Sequence, residues 1–288
     1  VPLSVENGTT PLMTDWKFNL GDATNAQDVS FDDSSWATID LPHDYSITQE
    51  YDANLESESA YLPGGTGWYR KILNIPGSLA GKRVTLDFDG AYMNAALYVN
   101  GTKLGSHPNG YTAFSFDITD ALKPGEPNVI AVRTENKTPS SRWYSGSGIT
   151  RDVSLTITDA VHFKKNGIIV TTPDLEANQT TVTVQNDLTI VNDGDEVKNL
   201  TVLTSITKKG ERTVLSSVNT SVTAAARTDT KISNPFAIKN PDLWTTDAPN
   251  LYTVHNEIYD GEELLQACDT DYGFRYMDFD PDQGFSLN

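Results

Sequence analysis

The chain has 288 residues, with 21 Lys and Arg against 39 Asp and Glu, a formal net charge of −18 at pH 7 and a hydrophobic share of 38%. That length is enough for two domains, each with its own core, and that composition excludes global disorder. The negative field repels phosphate backbones and argues against a nucleic-acid partner, and no apolar run is long enough for a helical membrane span.

The first residues, "VPLSVENGTT", have neither the basic start nor the apolar core of a signal peptide, and no initiating Met. They read as the start of a mature or trimmed product. Between Phe18 and Tyr69 there is no Lys or Arg, while ten Asp and Glu fall in the window. A solvated acidic face is the plain reading, because "DANLESE" lacks the spaced ligands and central Gly of an EF-hand loop.

From there the chain reads as strand after strand. "KRVTLDFDGA" alternates Val84, Leu86 and Phe88 with Thr85, Asp87 and Asp89, the period-two pattern of a half-buried strand. "AALYVNGTKLGSH" predicts a hairpin turning at Asn100-Gly101, the pair favoured in a type I′ turn. "FSFDITDAL" and "NVIAVRTEN" follow across the turn-forming "KPGEP", and "DITDAL" is at most one turn of helix. "RDVSLTIT" alternates again.

Near Asp159 the texture changes from aromatic- and Gly-rich to long Thr/Val segments such as "NQTTVTVQNDLTIVNDG". β-branched alternation with turn signals about every ten residues predicts a second antiparallel sandwich of immunoglobulin-like size. The single cysteine, Cys268, allows no internal disulfide and reads as a packing residue of a last strand. Six Asn-x-Ser/Thr sequons, among them Asn100 and Asn136, decide nothing in so Asn- and Thr-rich a chain. The closing "YGFRYMDFDPDQGFSLN" reads as a strand, an Asp-Pro turn and a strand that runs off the end, as if another domain followed.

Five segments in this order, "FDDSSWATIDLPHDYSI", "YLPGGTGWYRK", "YVNGTKLGSHPNGYTAFSFDITDAL", "RWYSGSGITRDVSL" and "YGFRYMDFDPDQGFSLN", resemble the N-terminal half of glycoside hydrolase family 2. The likeness is greatest to its bacterial β-galactosidases. It implies an all-β fold, a jelly-roll β-sandwich for sugar binding over 1–158 followed by an immunoglobulin-like β-sandwich over 159–272. Residues 273–288 then resemble the lead-in to a (β/α)8 catalytic barrel that this chain does not contain. Retaining glycosidases flank the bond with two carboxyl groups about 5–5.5 Å apart. The family's two glutamates lie on barrel strands, so the chain alone is expected to be inactive and to have that barrel as its partner. Glu50, Asp52, Glu56 and Glu58 are close in sequence but have no neighbour that would raise one pKa. His43, His107, His162 and His255 are scattered, and neither zinc spacing nor a nucleophile elbow occurs.

In the family's β-galactosidases the Asp of the "GI-x-RDV" motif binds galactose hydroxyls and, in some members, a sodium ion; here that residue is Asp152. A carboxylate accepts two sugar O–H groups and so discriminates by hydroxyl position. The bland alternative pairs Asp152 with Arg142 or Arg151 to close the sandwich. Arg142 can orient Asp152 or touch sugar, and Trp143 offers a face for sugar C–H groups; both can equally be structural. Gly146 and Gly148 give the tight path that aims the Asp. Arg151 falls on the opposite face if a strand begins there, and Trp68 and Tyr69 read as core. Related β-glucuronidases tend to carry Pro at the Asp152 position, so the resemblance implies a galactoside substrate, with glucuronide or mannoside as alternatives. It implies no cofactor required by this chain, with sodium or magnesium in the intact enzyme, the sodium at Asp152. A stand-alone carbohydrate-binding module is the rival class. A secreted or bacterial cell-surface location suits the composition.

Overall fold

The computed structural model describes residues 6–79 and 81–288. Residues 1–5, half of the stretch read above for a leader, lie outside them. Strands dominate; among the described residues the helical content is two 3-10 turns, Ser57–Ser59 and Thr119–Ala121, the second inside "DITDAL". The chain divides into two compact units, residues 1–158 and 159–288.

The first unit is a jelly-roll sandwich of two sheets. One has six strands in the order Ala37–Ile39, Trp16–Leu20, Gly65–Asn74, Pro127–Asn136, Ala95–Val99 and Thr102–His107; the other has Gly8–Pro11, Val153–Asp159, Lys82–Phe88 and Phe114–Asp117. Period-two alternation turns Val84, Leu86, Phe88, Val153, Leu155 and Ile157 of one sheet and Leu97, Val99, Ile130 and Val132 of the other into a shared core around Trp16 and Tyr69. Burying each such side chain contributes about 1.5–3 kcal/mol relative to exposure. The hairpin turns where expected: Val99 pairs with Thr102, and Asn100 and Gly101 both have positive φ, 50° and 85°, as a type I′ turn requires. The Asn100 side chain is spent on Ala121 O and Asn128 Oδ1, and Asn136 is almost fully buried, so neither sequon presents a free amide.

Strand Pro127–Asn136 is buried on both faces. Its outward Ala131 is covered by Ala26, Trp36 and Trp68, with Phe31 and Tyr98 packed beside them. Arg70, 2% exposed, holds that cover in place: its Nε donates to Asp33 at 2.8 Å and its Nη1 to the carbonyls of Ala26 and Asp28. Phe31 lies with its ring centroid 5.3 Å from the guanidinium carbon. The acidic window without a cation is therefore partly folded around the first cation that follows it, and not wholly a solvated face.

The second unit is an immunoglobulin-like sandwich. One sheet runs Val161–Thr171, Thr181–Asn192 and Thr228–Ser233, with Phe236–Lys239 also pairing Thr181–Asn192; the other runs Ser216–Ala224, Lys198–Lys208, Tyr252–Asp260 and Glu263–Tyr272. The buried positions of the long strands alternate, but a polar residue interrupts the apolar series midway along each: Val184-Asn186-Leu188, Val202-Thr204-Ile206 and Val254-Asn256-Ile258. These polar residues split the interior into two apolar clusters. Cys268 is half-buried against the first of them. The final segment forms a hairpin: Met277–Asp280 pairs with Gly284–Leu287 from Asp280↔Gly284 to Met277↔Leu287. Asp280 Oδ1 accepts the N–H groups of Asp282 and Gln283 and so builds the turn itself.

Candidate functional site

Residues 146–152 run as an extended segment between two neighbours. On one side His43 N donates to Ile149 O at 2.8 Å and Tyr45 N to Ser147 O at 2.9 Å. On the other, Tyr92 and Gly148 exchange both backbone hydrogen bonds, at 2.8 and 2.6 Å. Gly148 has φ of 113°, and a Cβ there would occupy the place of the Tyr69 hydroxyl. No other residue fits that combination of backbone conformation and close approach.

Side chains lock the segment further. Asp44 Oδ1 accepts the N–H groups of Ser46 and Ser147, both at 2.9 Å, and its Oδ2 accepts the Tyr144 hydroxyl. Burial, then the Asp44 carboxylate, pushes the Tyr144 phenol far up, so it stays a donor. Ser46 Oγ donates to Ser147 Oγ at 2.7 Å, and Asn136 Nδ2 donates to the same oxygen at 2.8 Å. Burial also drives the Tyr69 phenol well above its ordinary value. Its oxygen accepts Ile149 N–H at 3.3 Å, so its proton goes to His43 Nδ1 at 2.9 Å. The His43 pKa is lowered by burial, against an opposing pull from Asp44. Neutral His43 therefore accepts at Nδ1 and carries its proton on Nε2.

At the end of this fixed segment stands Asp152. Its carbonyl accepts Asp89 N–H at 2.9 Å, while its side chain is exposed. Among the described residues the Asp152 carboxylate has no hydrogen-bond or ion-pair partner, and neither Arg142 nor Arg151 pairs with it. It lines a broad open concavity of about 500 Å³ with Pro42, Asp89, Ala113, Thr150 and Arg151.

Arg151 departs from its sequence reading. The strand begins at Val153, one residue after Asp152, so the alternation invoked for Arg151 does not reach it. Arg151 is exposed, lines the same concavity and lays its side chain over Gly90. Arg142 is exposed outside that lining, with no partner among the described residues. Trp143 is also outside it: 60% exposed, it donates from Nε1 to the Tyr111 hydroxyl at 2.7 Å. Trp68 and Tyr69 are buried as read, but the Tyr69 hydroxyl belongs to the locking network. Asp44, Asp89 and Tyr111 escaped the sequence reading. The available signal for Asp44 was "LPHDYSI", a short stretch with a cyclic and a charged residue amid apolar ones; Asp89 sits where the alternation of "TLDFDG" breaks at a glycine.

The donor set also bears on cations. Among the described residues no three His, Cys, Asp or Glu side chains converge on a point. For sodium the concavity offers two carboxylate residues, Asp152 and Asp89.

The pattern described for the sugar binding domain of glycosyl hydrolases family 2 matches residues 10–159, and that of glycosyl hydrolases family 2 matches residues 161–275. The chain belongs to glycosyl hydrolase family 2. Over 277 residues it is 39% identical to the beta-galactosidase BoGH2A of Bacteroides ovatus, a match covering 95% of this chain and 32% of that protein. A putative beta-glucuronidase of Formosa agariphila is 33% identical over 97% of this chain and 26% of its own length. Among solved structures, a family 2 member from Bacteroides cellulosilyticus gives a TM-score of 0.89 at 35% identity, over 97% of this chain and 38% of that one. A beta-glucuronidase 2 of Bacteroides uniformis, solved with cyclophellitol-6-carboxylate aziridine bound covalently, gives 0.88 at 32% identity, over 98% and 34%. The family 2 chain thus spans about a third of the length of such relatives.

Proposed function

We propose that this chain is the N-terminal portion of a retaining β-galactosidase, acting on terminal β-galactosides, in which it supports the catalytic barrel and lends the Asp152 carboxylate to the sugar pocket. The supporting observation is the contrast within one segment. Everything up to Thr150 is tied down, and the carboxylate at its end has no partner among the described residues. A group held by its backbone and left unsatisfied can accept two sugar hydroxyls without first breaking a bond of its own. A sugar lacking the correctly placed hydroxyl leaves that carboxylate unpaired, which is how discrimination arises. A cation at this carboxylate, if sodium, takes Asp152 as one oxygen ligand and adds no step of its own. Acid–base and nucleophilic chemistry belongs to carboxyl groups outside this chain.

A β-glucuronidase is the second reading, favoured by Arg151. Its guanidinium stands on the same concavity, where it can pair a uronate carboxylate. The experiment is turnover of 4-nitrophenyl β-galactoside and β-glucuronide by the protein carrying its barrel. Galactoside preference is expected; glucuronide preference, lost on Arg151→Gln, establishes the second reading instead. The 288-residue chain alone is expected to hydrolyse neither.

A further inference from the structure

Trp143 and Tyr111 take no part in the network that locks residues 146–152, yet both are held firmly while remaining exposed, at 60% and 41%. The indole N–H is used on the Tyr111 hydroxyl at 2.7 Å, with ring centroids 6.5 Å apart at 46°. Tyr92, itself buried and tied to Gly148, meets Tyr111 edge-on at 5.2 Å. Asn109 Oδ1 accepts the N–H groups of Tyr111 and Thr112 at 2.8 and 3.1 Å, which fixes the turn presenting the ring. With the indole N–H already paired with the phenol, both rings are held in place and still keep solvent-exposed aromatic surface.

The segment that carries Tyr111 also runs beside the candidate sugar site. Ala113, two residues beyond Tyr111, lines the concavity of Asp152, and Gly110 O and the Arg151 side chain both approach Gly90. Preorganised aromatic faces beside polar sugar-accepting groups suit one ligand chemistry in particular. A pyranose has an apolar face of C–H groups and a rim of hydroxyls, and an open platform loses little entropy in ordering rings that are already fixed.

We propose that Trp143 and Tyr111 form a stacking platform for a second pyranose ring of the substrate, the one joined to the terminal sugar. The platform makes the site selective for oligosaccharides over substrates with small leaving groups. This rests on the reading of the concavity as the terminal-sugar site, but its test does not require turnover.

The 288-residue chain is titrated with lactose and, separately, with galactose while its tryptophan indole N–H signals are followed by NMR; Trp143→Phe assigns the signal of interest. Lactose is expected to move the Trp143 signal at about tenfold lower concentration than galactose, leaving those of buried Trp16, Trp36 and Trp68 in place. Asp152→Asn keeps the lactose shift, so failure of the Asp152 assignment and failure of the platform are separable. A Trp143 signal that lactose leaves unmoved, or that both sugars move alike, overturns the proposal. In the barrel-bearing protein, Trp143→Ala is expected to lower kcat/KM for lactose about tenfold and for methyl β-galactoside less than about twofold. Tyr111→Phe, which removes only the hydroxyl, gives a smaller selective loss. Equal losses on both substrates would mean that protein, not sugar, covers the rings, and would overturn the proposal.

Discussion

In the first unit, Asp44 and Tyr69 accept backbone N–H groups of a segment that ends in a carboxylate with no partner among the described residues, and Tyr144 donates to Asp44 behind them. In the second, Asn186, Thr204, Asn234 and Asn256 spend theirs on one another. Asn186 Nδ2 donates to Asn256 Oδ1 at 2.8 Å, Thr204 Oγ1 donates to the same oxygen at 2.7 Å, and Asn234 Nδ2 reaches Thr204 Oγ1 at 3.2 Å. All four are fully buried. Similar chemistry serves two ends: inside the second sandwich it ties strands of both sheets together, and in the first unit it fixes the backbone that leads to Asp152. Asn186 Oδ1, Asn234 Oδ1 and Asn256 Nδ2 keep no hydrogen-bond partner among the described residues, so the cluster is paired but not saturated. Buried polar groups paired with one another specify structure, whereas a polar group left open beside a rigid frame is available to a ligand.

The largest effect that breaks this comparison is expected in the second unit. Asn256→Ala removes the acceptor of two buried hydrogen bonds and is expected to destabilise by about 3 kcal/mol in urea denaturation. Sugar binding at the first unit should be untouched. A loss below about 1 kcal/mol would show that the cluster contributes little to stability.

Next comes Gly148→Ala. The positive φ and the overlap with the Tyr69 hydroxyl predict a loss of about 2 kcal/mol, with Asp152 misaimed as a consequence. Loss of stability with full activity would separate the segment's packing from its function.

The two histidines sharpen the contrast through pH. Burial lowers the His43 pKa, so its contribution is complete above the unfolded value of about 6.5 and is lost as pH falls through the depressed folded value. His255 behaves oppositely. Burial pulls it down, but Asp269 and Glu257 outweigh that and raise it above 6.5. Its contribution is complete below about pH 6.5 and fades as pH rises through the raised value. Solvent screening limits it to under about 1 kcal/mol, since the ring is 36% exposed. Melting curves of His43→Gln and His255→Gln against the parent should diverge in opposite directions between about pH 5 and 8. Parallel curves would remove the assigned partners from the account.

Much of the fold was legible because alternation survives burial. Val84-Leu86-Phe88 and the Asn100-Gly101 turn carry their structure locally, and Val184-Asn186-Leu188 shows the same period with a polar residue in a core position. Asp152 was legible only through resemblance to a family, since nothing local distinguishes it from other Asp residues. The cover over Ala131, the Asp44 anchor and the Tyr111–Trp143 pair were not legible. Each joins residues far apart in sequence, 103 positions for Asp44 and Ser147 and 32 for Tyr111 and Trp143, and no periodicity encodes such meetings. Arg151 departs from its sequence reading for a local reason: it lies two residues ahead of the strand whose alternation was applied to it.

The smallest expected effect on stability belongs to Asp152, the residue proposed to contact the sugar. In the barrel-bearing protein, Asp152→Asn should change folding stability by less than about 0.5 kcal/mol, because the carboxylate has no partner among the described residues to lose. The most direct measurement is kcat/KM of this variant for a β-galactoside alongside its melting temperature. The account predicts a fall of about a hundredfold with the melting temperature unchanged. Undiminished turnover, or a loss that simply follows a lowered melting temperature, would contradict a substrate-binding role for Asp152.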